Sequence, residues 1–228
     1  MKPRELEIAE RLAAVESRIN SAVATSGRSR DEITLIAVTK TYPASDVEIL
    51  RNLGVQNFGE NRSDEGQEKS ALVPGTWHFQ GQVQGRKLRD IAGWASYIHS
   101  LDTIEHIEKL SRIALELEKI VPVFLQISLD GAPDRGGVIA TEVKALAEKM
   151  TNLPQIKLVG LMCVPPVEYE HQRAFSEIAD IHQSFLTTFP SAKFLSAGMS
   201  SDFEVAITHG ATHIRVGSQI LGSRPYHP

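Results

Sequence analysis

The sequence predicts an α/β chain folded as a single (β/α)8 TIM barrel, residues 1–228, with an extra N-terminal helix over residues 1–28 packing on the barrel. Three observations predict it. Eight short aliphatic runs alternate strictly with stretches of helical period, the pattern of a parallel sheet. Glycines and prolines punctuate these elements and never gather into a linker. The 228 residues nearly match the roughly 250 that one such barrel uses. The rival is an open doubly wound sheet. No G-x-G-x-x-G follows the first strand and no Walker A glycine loop occurs, which disfavours it.

Leu6, Ala9, Leu12, Ala13 and Ile19 recur at helical spacing, and Gly27 can end that helix. Ile33 to Thr39 is a nearly continuous β-branched and aliphatic run, as expected of a strand buried on both faces. Further strands are expected at Val55–Phe58, Trp77–Gln80, Tyr97–Ser100, Val121–Ser128, Ile156–Met162, Lys193–Leu195 and Thr212–Val216. Between them, Ile104, Ile107, Leu110, Ala114 and Leu117 share a helical face. So do Val143, Leu146, Ala147 and Met150, and Phe175, Ile178, Ile181 and Phe185. Ser201-Asp-Phe-Glu204 has capping-box spacing, and Gly210 can stop the helix it opens.

Composition excludes several classes. With 24 basic and 28 acidic side chains the formal charge is -4, which argues against nucleic acid as a partner. No targeting segment and no apolar stretch of membrane-spanning length is visible. The one cysteine, Cys163, can form no internal disulfide and has no Cys/His neighbours, so no metal site is expected. Cys163 reads as a small buried apolar residue at a strand end. A reducing, cytoplasmic setting is expected.

In such barrels the chemistry sits at the carboxyl ends of the strands. Lys40 alone among the lysines directly follows a long apolar strand. An amine placed there is partly desolvated, which disfavours its charged form and suits attack on an aldehyde, although a lysine can also simply end a strand. The second strand leads into Gly59-Glu-Asn61-Arg62, either a ligand-approaching glycine with an amide or an ordinary turn. His78, inside an apolar run, reads as a satisfied core residue. After the seventh strand come Ser196-Ala-Gly-Met-Ser200, and after the eighth Arg215-Val-Gly217-Ser218. Both are turns before a helix start, and barrels commonly bind phosphate in these two loops. Amine and phosphate cradle together suggest a phosphorylated aldehyde, either a sugar phosphate or pyridoxal 5'-phosphate (PLP). Arg215, in the last strand just before Gly217, is placed to face a pyridine ring. Arginine would donate to the ring nitrogen without protonating it, leaving a weakened electron sink.

The segments ITLIAVTKTYP, FGENR, WHFQGQVQGRK, IHSLD, GLMCVPP and LSAGMSSDFEVAITHGATHIRVGSQILGSR resemble, in order, the motifs of the pyridoxal 5'-phosphate homeostasis protein family. The resemblance implies a barrel like the N-terminal domain of alanine racemases and a Schiff base between PLP and Lys40. It places Asn61, Ser200, Arg215, Gly217 and Ser218 around the cofactor, with Ser200 and the Gly217–Ser218 backbone on phosphate and Arg215 on the pyridine nitrogen. The chain departs from the family's usual residues at Ala197, Arg86 and Arg135, so the resemblance assigns no role to Lys87 or Arg135.

The same resemblance implies a monomer that binds PLP and delivers it to apo-enzymes in vitamin B6 homeostasis, without robust catalysis. A racemase needs acid/base groups on both faces of the substrate carbon. In alanine racemases the second is a tyrosine from a C-terminal domain, which a chain ending at Pro228 is expected to lack. None of Tyr42, Tyr97, Tyr169 and Tyr226 is placed as an obvious replacement. A small monomeric PLP-dependent amino-acid racemase is the alternative. A Schiff-base aldolase is a third reading, and it lacks an identifiable acid/base partner for Lys40.

Overall fold

A computed structural model describes residues 2–132 and 135–222. Eight strands close in sequence order into a parallel barrel: β1 (Thr34–Val38), β2 (Asn57–Glu60), β3 (Thr76–Phe79), β4 (Tyr97–Leu101), β5 (Val121–Ile127), β6 (Ile156–Cys163), β7 (Phe194–Met199) and β8 (His213–Val216). Closure is made by β8 pairing with β1, Thr34 opposite His213 through Ala37 opposite Val216. The open-sheet rival is thereby excluded.

The helices are α1 (Pro3–Thr25), α2 (Ala44–Asn52), α3 (Ser63–Leu72), α4 (Leu88–Trp94), α5 (Ile104–Glu116), α6 (Ala140–Thr151), α7 (His171–Thr188), α8 (Phe203–Thr208) and α9 (Ser218–Leu221). α1 buries Ile8, Leu12, Val15, Ile19, Ala22 and Val23, one stripe at 3–4 spacing. It lies on the outside of α2, α8 and α9, tied by Arg4 to Asp46 and by Arg18 to Glu204. The main core fills the space between sheet and helices. A second, smaller cluster of Phe124, Val159 and Met162, with Tyr97 and Phe194 against it, is separate from that core.

Two strands differ from the sequence reading. β2 starts two residues later than Val55, because Val55 N–H is spent closing α2 on Leu50 O, and the ladder runs on through Gly59 and Glu60. Gly59 is therefore a strand residue and not part of a turn. A Cβ there would stand 2.8 Å from Gln80 Oε1 and 3.0 Å from Ile36 Cγ2, so glycine makes room for neighbouring side chains. β7 continues to Met199, so most of the expected loop is strand. Ser196 and Gly198 conceal this, since neither belongs to an apolar run.

The Ser201–Glu204 capping box does not form. Asp202 is the N-cap of α8, its Oδ1 accepts Met199 N–H at 2.6 Å, and Glu204 is engaged by Arg18. Gly210 does end α8, at φ +93°. Among the described residues no helix is long and apolar enough to cross a membrane. No cluster of three or more potential metal ligands occurs among them either.

Candidate functional site

Register decides which strand ends meet. Val38 lies opposite Gly59, so Lys40 and Asn61, each two residues further on, stand at one height. Ala37 lies opposite Val216, and Gly217 is the next residue. Met199 lies opposite Arg215, and Gly217 N–H donates to Ser200 Oγ at 3.3 Å, tying the two loops together. Adjacent strands run about 4.8 Å apart. Lys40, Asn61, Ser200, Arg215, Gly217 and Ser218 therefore share the carboxyl rim of four consecutive strands, β7, β8, β1 and β2. Lys40, Asn61, Ser200 and Gly217 are half-buried and Ser218 is exposed. A Cβ on Gly217 would lie 3.1 Å from Val38 O, so any side chain there would press on the end of β1.

Helix dipoles contribute less at these loops than the sequence suggested. α9 is a single turn of four residues, and the N-terminus of α8 already carries the Asp202 carboxylate. What the rim offers an anion is individual donors: the Ser200 hydroxyl and the Gly217–Ser218 backbone.

Arg215 is 5% exposed. Nη1 donates to Ser196 Oγ at 2.7 Å and Nη2 to Cys163 O at 2.9 Å, and no carboxylate among the described residues comes within 4 Å. Burial pulls its pKa down to about 10, still well above neutrality. Cys163 ends β6, fully buried, with its thiol pushed up to about 12 by desolvation.

From Ser196 a chain of hydrogen bonds runs down the barrel. His99 Nδ1 meets Ser196 Oγ at 2.9 Å, His99 Nε2 meets His78 Nδ1 at 2.9 Å, and His78 Nε2 meets Asn57 Oδ1 at 3.1 Å. Its polarity follows from chemistry. Asn57 Oδ1 only accepts, so His78 carries its proton on Nε2. Burial holds His78 down to about 3, so it is neutral and its Nδ1 accepts from His99 Nε2–H. Neutral His99 then accepts from Ser196 at Nδ1, and Ser196 accepts from Arg215. Every donor in the chain points toward Asn57. His78 is satisfied, as the sequence suggested, but it is not alone: His99 and His213 lie with ring centroids 5.1 and 6.4 Å away. The foot of this chain meets a cavity of about 900 Å³ at the opposite, amino-terminal mouth, lined in part by Asn57, His78, Tyr97 and His213.

Behind Lys40 lies a buried ion cluster. Lys69 of α3, 5% exposed, donates all three protons: to Thr39 O at 2.8 Å, Glu60 Oε1 at 2.7 Å and Glu65 Oε2 at 3.1 Å. Thr39 Oγ1 also donates to Glu60 Oε1, at 2.6 Å. Burial drives the Glu60 carboxyl above its usual range, although Lys69 opposes this. Burial would also raise Glu65, but Thr41 N–H and Lys69 outweigh it and hold Glu65 low.

A family model described as the alanine racemase N-terminal domain matches residues 11–225. A pyridoxal phosphate homeostasis protein of Corynebacterium glutamicum is 38% identical over 219 residues, covering 92% of this chain and 99% of its own length. The chain belongs to the pyridoxal phosphate homeostasis protein family. The Escherichia coli member is 36% identical over 230 residues, covering 96% and 98% of the two chains. Among solved structures, PipY from Synechococcus elongatus with PLP bound superimposes with a TM-score of 0.83 at 33% identity, covering 94% of this chain and 100% of that one. An alanine racemase from Clostridium difficile, 17% identical, shares the fold with a TM-score of 0.72, this chain spanning 58% of it.

In this family member the register gathers the six predicted rim residues. Sequence reasoning missed Gln80, Ser196 and His99. Gln80 directly follows β3, as Lys40 nearly follows β1, and its buried Nε2 has no partner among the described residues. Its place at a strand's carboxyl end, the same signal that marks Lys40, is legible in the sequence. Lys87 stands at the N-cap position of α4 near Asp90, and Arg135 donates to the carbonyl of Val164, the residue after the Cys163 whose own carbonyl holds Arg215. Tyr42 donates to Gly222 O, Tyr97 lines the opposite mouth and Tyr169 lies beneath Arg173. Tyr226 lies outside the described residues.

Proposed function

We propose that the protein binds PLP at this rim, holds it on Lys40, and releases it to apo-enzymes as a cytoplasmic monomer without robust catalysis of its own. The observation that carries the reading is the shared height of Lys40 and Asn61 beside the bonded Ser200–Gly217 turns. The residues fit the group. Arg215 is a buried cation that makes no ion pair among the described residues, and at Gly217 the absence of a side chain lets the backbone lie close against the end of β1. When bound, PLP supplies an aldehyde and an electron-withdrawing ring. Lys40 would hold the cofactor through its neutral amine, the group that reacts with an aldehyde. Ser200 and the backbone around Gly217 and Ser218 would hold the phosphate. Arg215, held by Ser196 and Cys163 O, would offer a donor to the ring nitrogen and, staying protonated, would give it no proton. That favours storage over carbanion chemistry and supports the carrier reading above the racemase one.

Borohydride added to the PLP-loaded protein should fix the cofactor on one tryptic peptide, the one containing Lys40. A label on Lys87 would sink the assignment. Lys69 is not a rival, since its three protons are all engaged.

Ser200→Ala tests the phosphate side. It deletes one hydroxyl donor to a dianion, worth about 1.5–3 kcal/mol. PLP should bind about 10–100-fold more weakly, with unphosphorylated pyridoxal nearly unaffected. Equal losses for both ligands, measured by absorption titration, would mean that Ser200 acts through the fold.

A further inference from the structure

The turn that carries Lys40 is held from behind on both sides. On the near side, Thr39 continues the ladder by donating to Gly59 O at 2.9 Å. Its carbonyl accepts from Lys69 and its hydroxyl donates to Glu60. On the far side, Thr41 N–H donates to Glu65 Oε2 at 2.8 Å. Thr41 adopts φ +70°, one of two described non-glycine residues with positive φ. For a β-branched residue that conformation is a genuine outlier and persists only where the surroundings impose it. Glycine would be the ordinary residue at such a position. The chain keeps threonine there and opposes the strain with a carboxylate that is itself pinned by a buried ammonium.

Three features distinguish this from a stray surface pair. Glu60 is fully buried and Lys69 nearly so. The lysine uses every proton it has. The acceptors and donors it organises belong to the residues immediately before and after Lys40, on a strand end and turn that α3 does not otherwise join covalently. In apolar surroundings such a cluster tolerates little rearrangement, since any partner released is left unpaired.

We propose that Glu65, Lys69 and Glu60 form a positioning clamp for Lys40: by fixing Thr39 and forcing Thr41 into the left-handed region they set where the Lys40 amine stands in the barrel mouth. These are positioning residues, for none of them is assigned a contact with the cofactor. The inference rests on the reading of Lys40 as the PLP-linked lysine. Positioning governs how often the amine meets the aldehyde in an attacking geometry, and a misplacement near 1 Å can slow such a step by about a hundredfold. It need not alter phosphate binding, whose donors lie on β7 and β8.

The test compares Glu65→Ala, Glu65→Gln and the Glu65→Ala/Thr41→Gly double variant with the parent protein. Three quantities are measured: the rate at which borohydride fixes PLP on the Lys40 peptide, the affinity for pyridoxine 5'-phosphate, which has no aldehyde, and the rate at which acetic anhydride acetylates Lys40 in cofactor-free protein. Glu65→Ala should slow the first by at least about tenfold and change the second by less than about threefold. Glu65→Gln keeps an acceptor for Thr41 N–H and should stay within about threefold of the parent throughout. Thr41→Gly should restore most of the lost rate in the double variant, because glycine takes the turn without help. An unchanged fixation rate in Glu65→Ala, a parallel fall in pyridoxine phosphate affinity, or a double variant no faster than Glu65→Ala would each overturn the clamp. Should Glu65→Ala not fold, Glu65→Asp, shorter by one methylene, replaces it with the same expected order and the same rescue. If the parent protein is labelled on a lysine other than Lys40, the functional reading fails. The acetylation rate then judges the clamp alone: altered in Glu65→Ala it supports the clamp, unchanged it overturns it.

Discussion

The protein should lose most of its stability between pH 6.5 and pH 4. Burial holds His213 and His182 down to about 4 and His78 to about 3, and it lowers His99 as well. His213 is further depressed by the Arg215 charge, and His99 by His78, His213 and Arg215. In the unfolded chain these imidazoles titrate near 6.5. The native pKa values are depressed, so the unfolded chain takes up protons that the barrel refuses. The corresponding stability is fully present above pH 6.5 and drains away as pH falls toward the native values. A descent from 6.5 to about 4 costs about 3 kcal/mol for His213 alone, at about 1.4 kcal/mol per pH unit. His78 loses a similar amount by the same pH. Two such groups consume a large part of the roughly 5–15 kcal/mol that a folded protein has. Urea midpoints between pH 7.5 and 4.5, at constant m-value, measure it. A midpoint that stays flat across that range would mean the histidine chain is protonated in the native barrel, contrary to the polarity derived above.

Lys69→Met should destabilise the fold by about 3–5 kcal/mol at pH 8, the usual cost of removing one partner of a buried pair. The methionine fills most of the volume, so the loss is one of charge: Glu60 stays fully buried without its cation. The loss should shrink as pH falls. Burial already raises the Glu60 carboxyl above its unfolded value, and removing Lys69 removes the main opposing influence. A raised carboxyl is stable in its protonated form, so its contribution is retained at low pH and lost as pH rises through the native value. Comparing variant with parent at pH 8 and pH 5.5 cancels the histidine effect common to both. Adding Glu60→Gln should recover most of the deficit. A deficit equal at both pH values would assign it to packing.

The strands of this barrel lie close to where their hydrophobic runs end, because a parallel strand is covered on both faces and must be apolar almost throughout. β7 is the instructive failure. Ser196 pairs in its ladder and Gly198 sits at a register shift with φ +92°, yet neither resembles a strand residue, because Ser196 answers to Arg215 and His99 and not to apolar neighbours. Similarly, the eventual burial of Lys69 is invisible in a helix whose flanks are charged. Its partners Glu60 and Thr39 come from β2 and the end of β1, and only the packing of α3 over that strand pair brings them together.

The sequence by itself determined the alternation, the family motifs and the identity of the rim residues, since each depends on local pattern: a lysine after an apolar run, glycines before short helices. The tertiary structure alone decided how those residues meet. Closure sets β8 against β1, so the Ser200–Gly217 loops lie beside Lys40 although they are remote in the chain. It also decided the polarity of the histidine chain and the hold on Thr41. Those depend on which donors face which acceptors inside a water-poor barrel, where an unmet partner costs far more than it would in solvent.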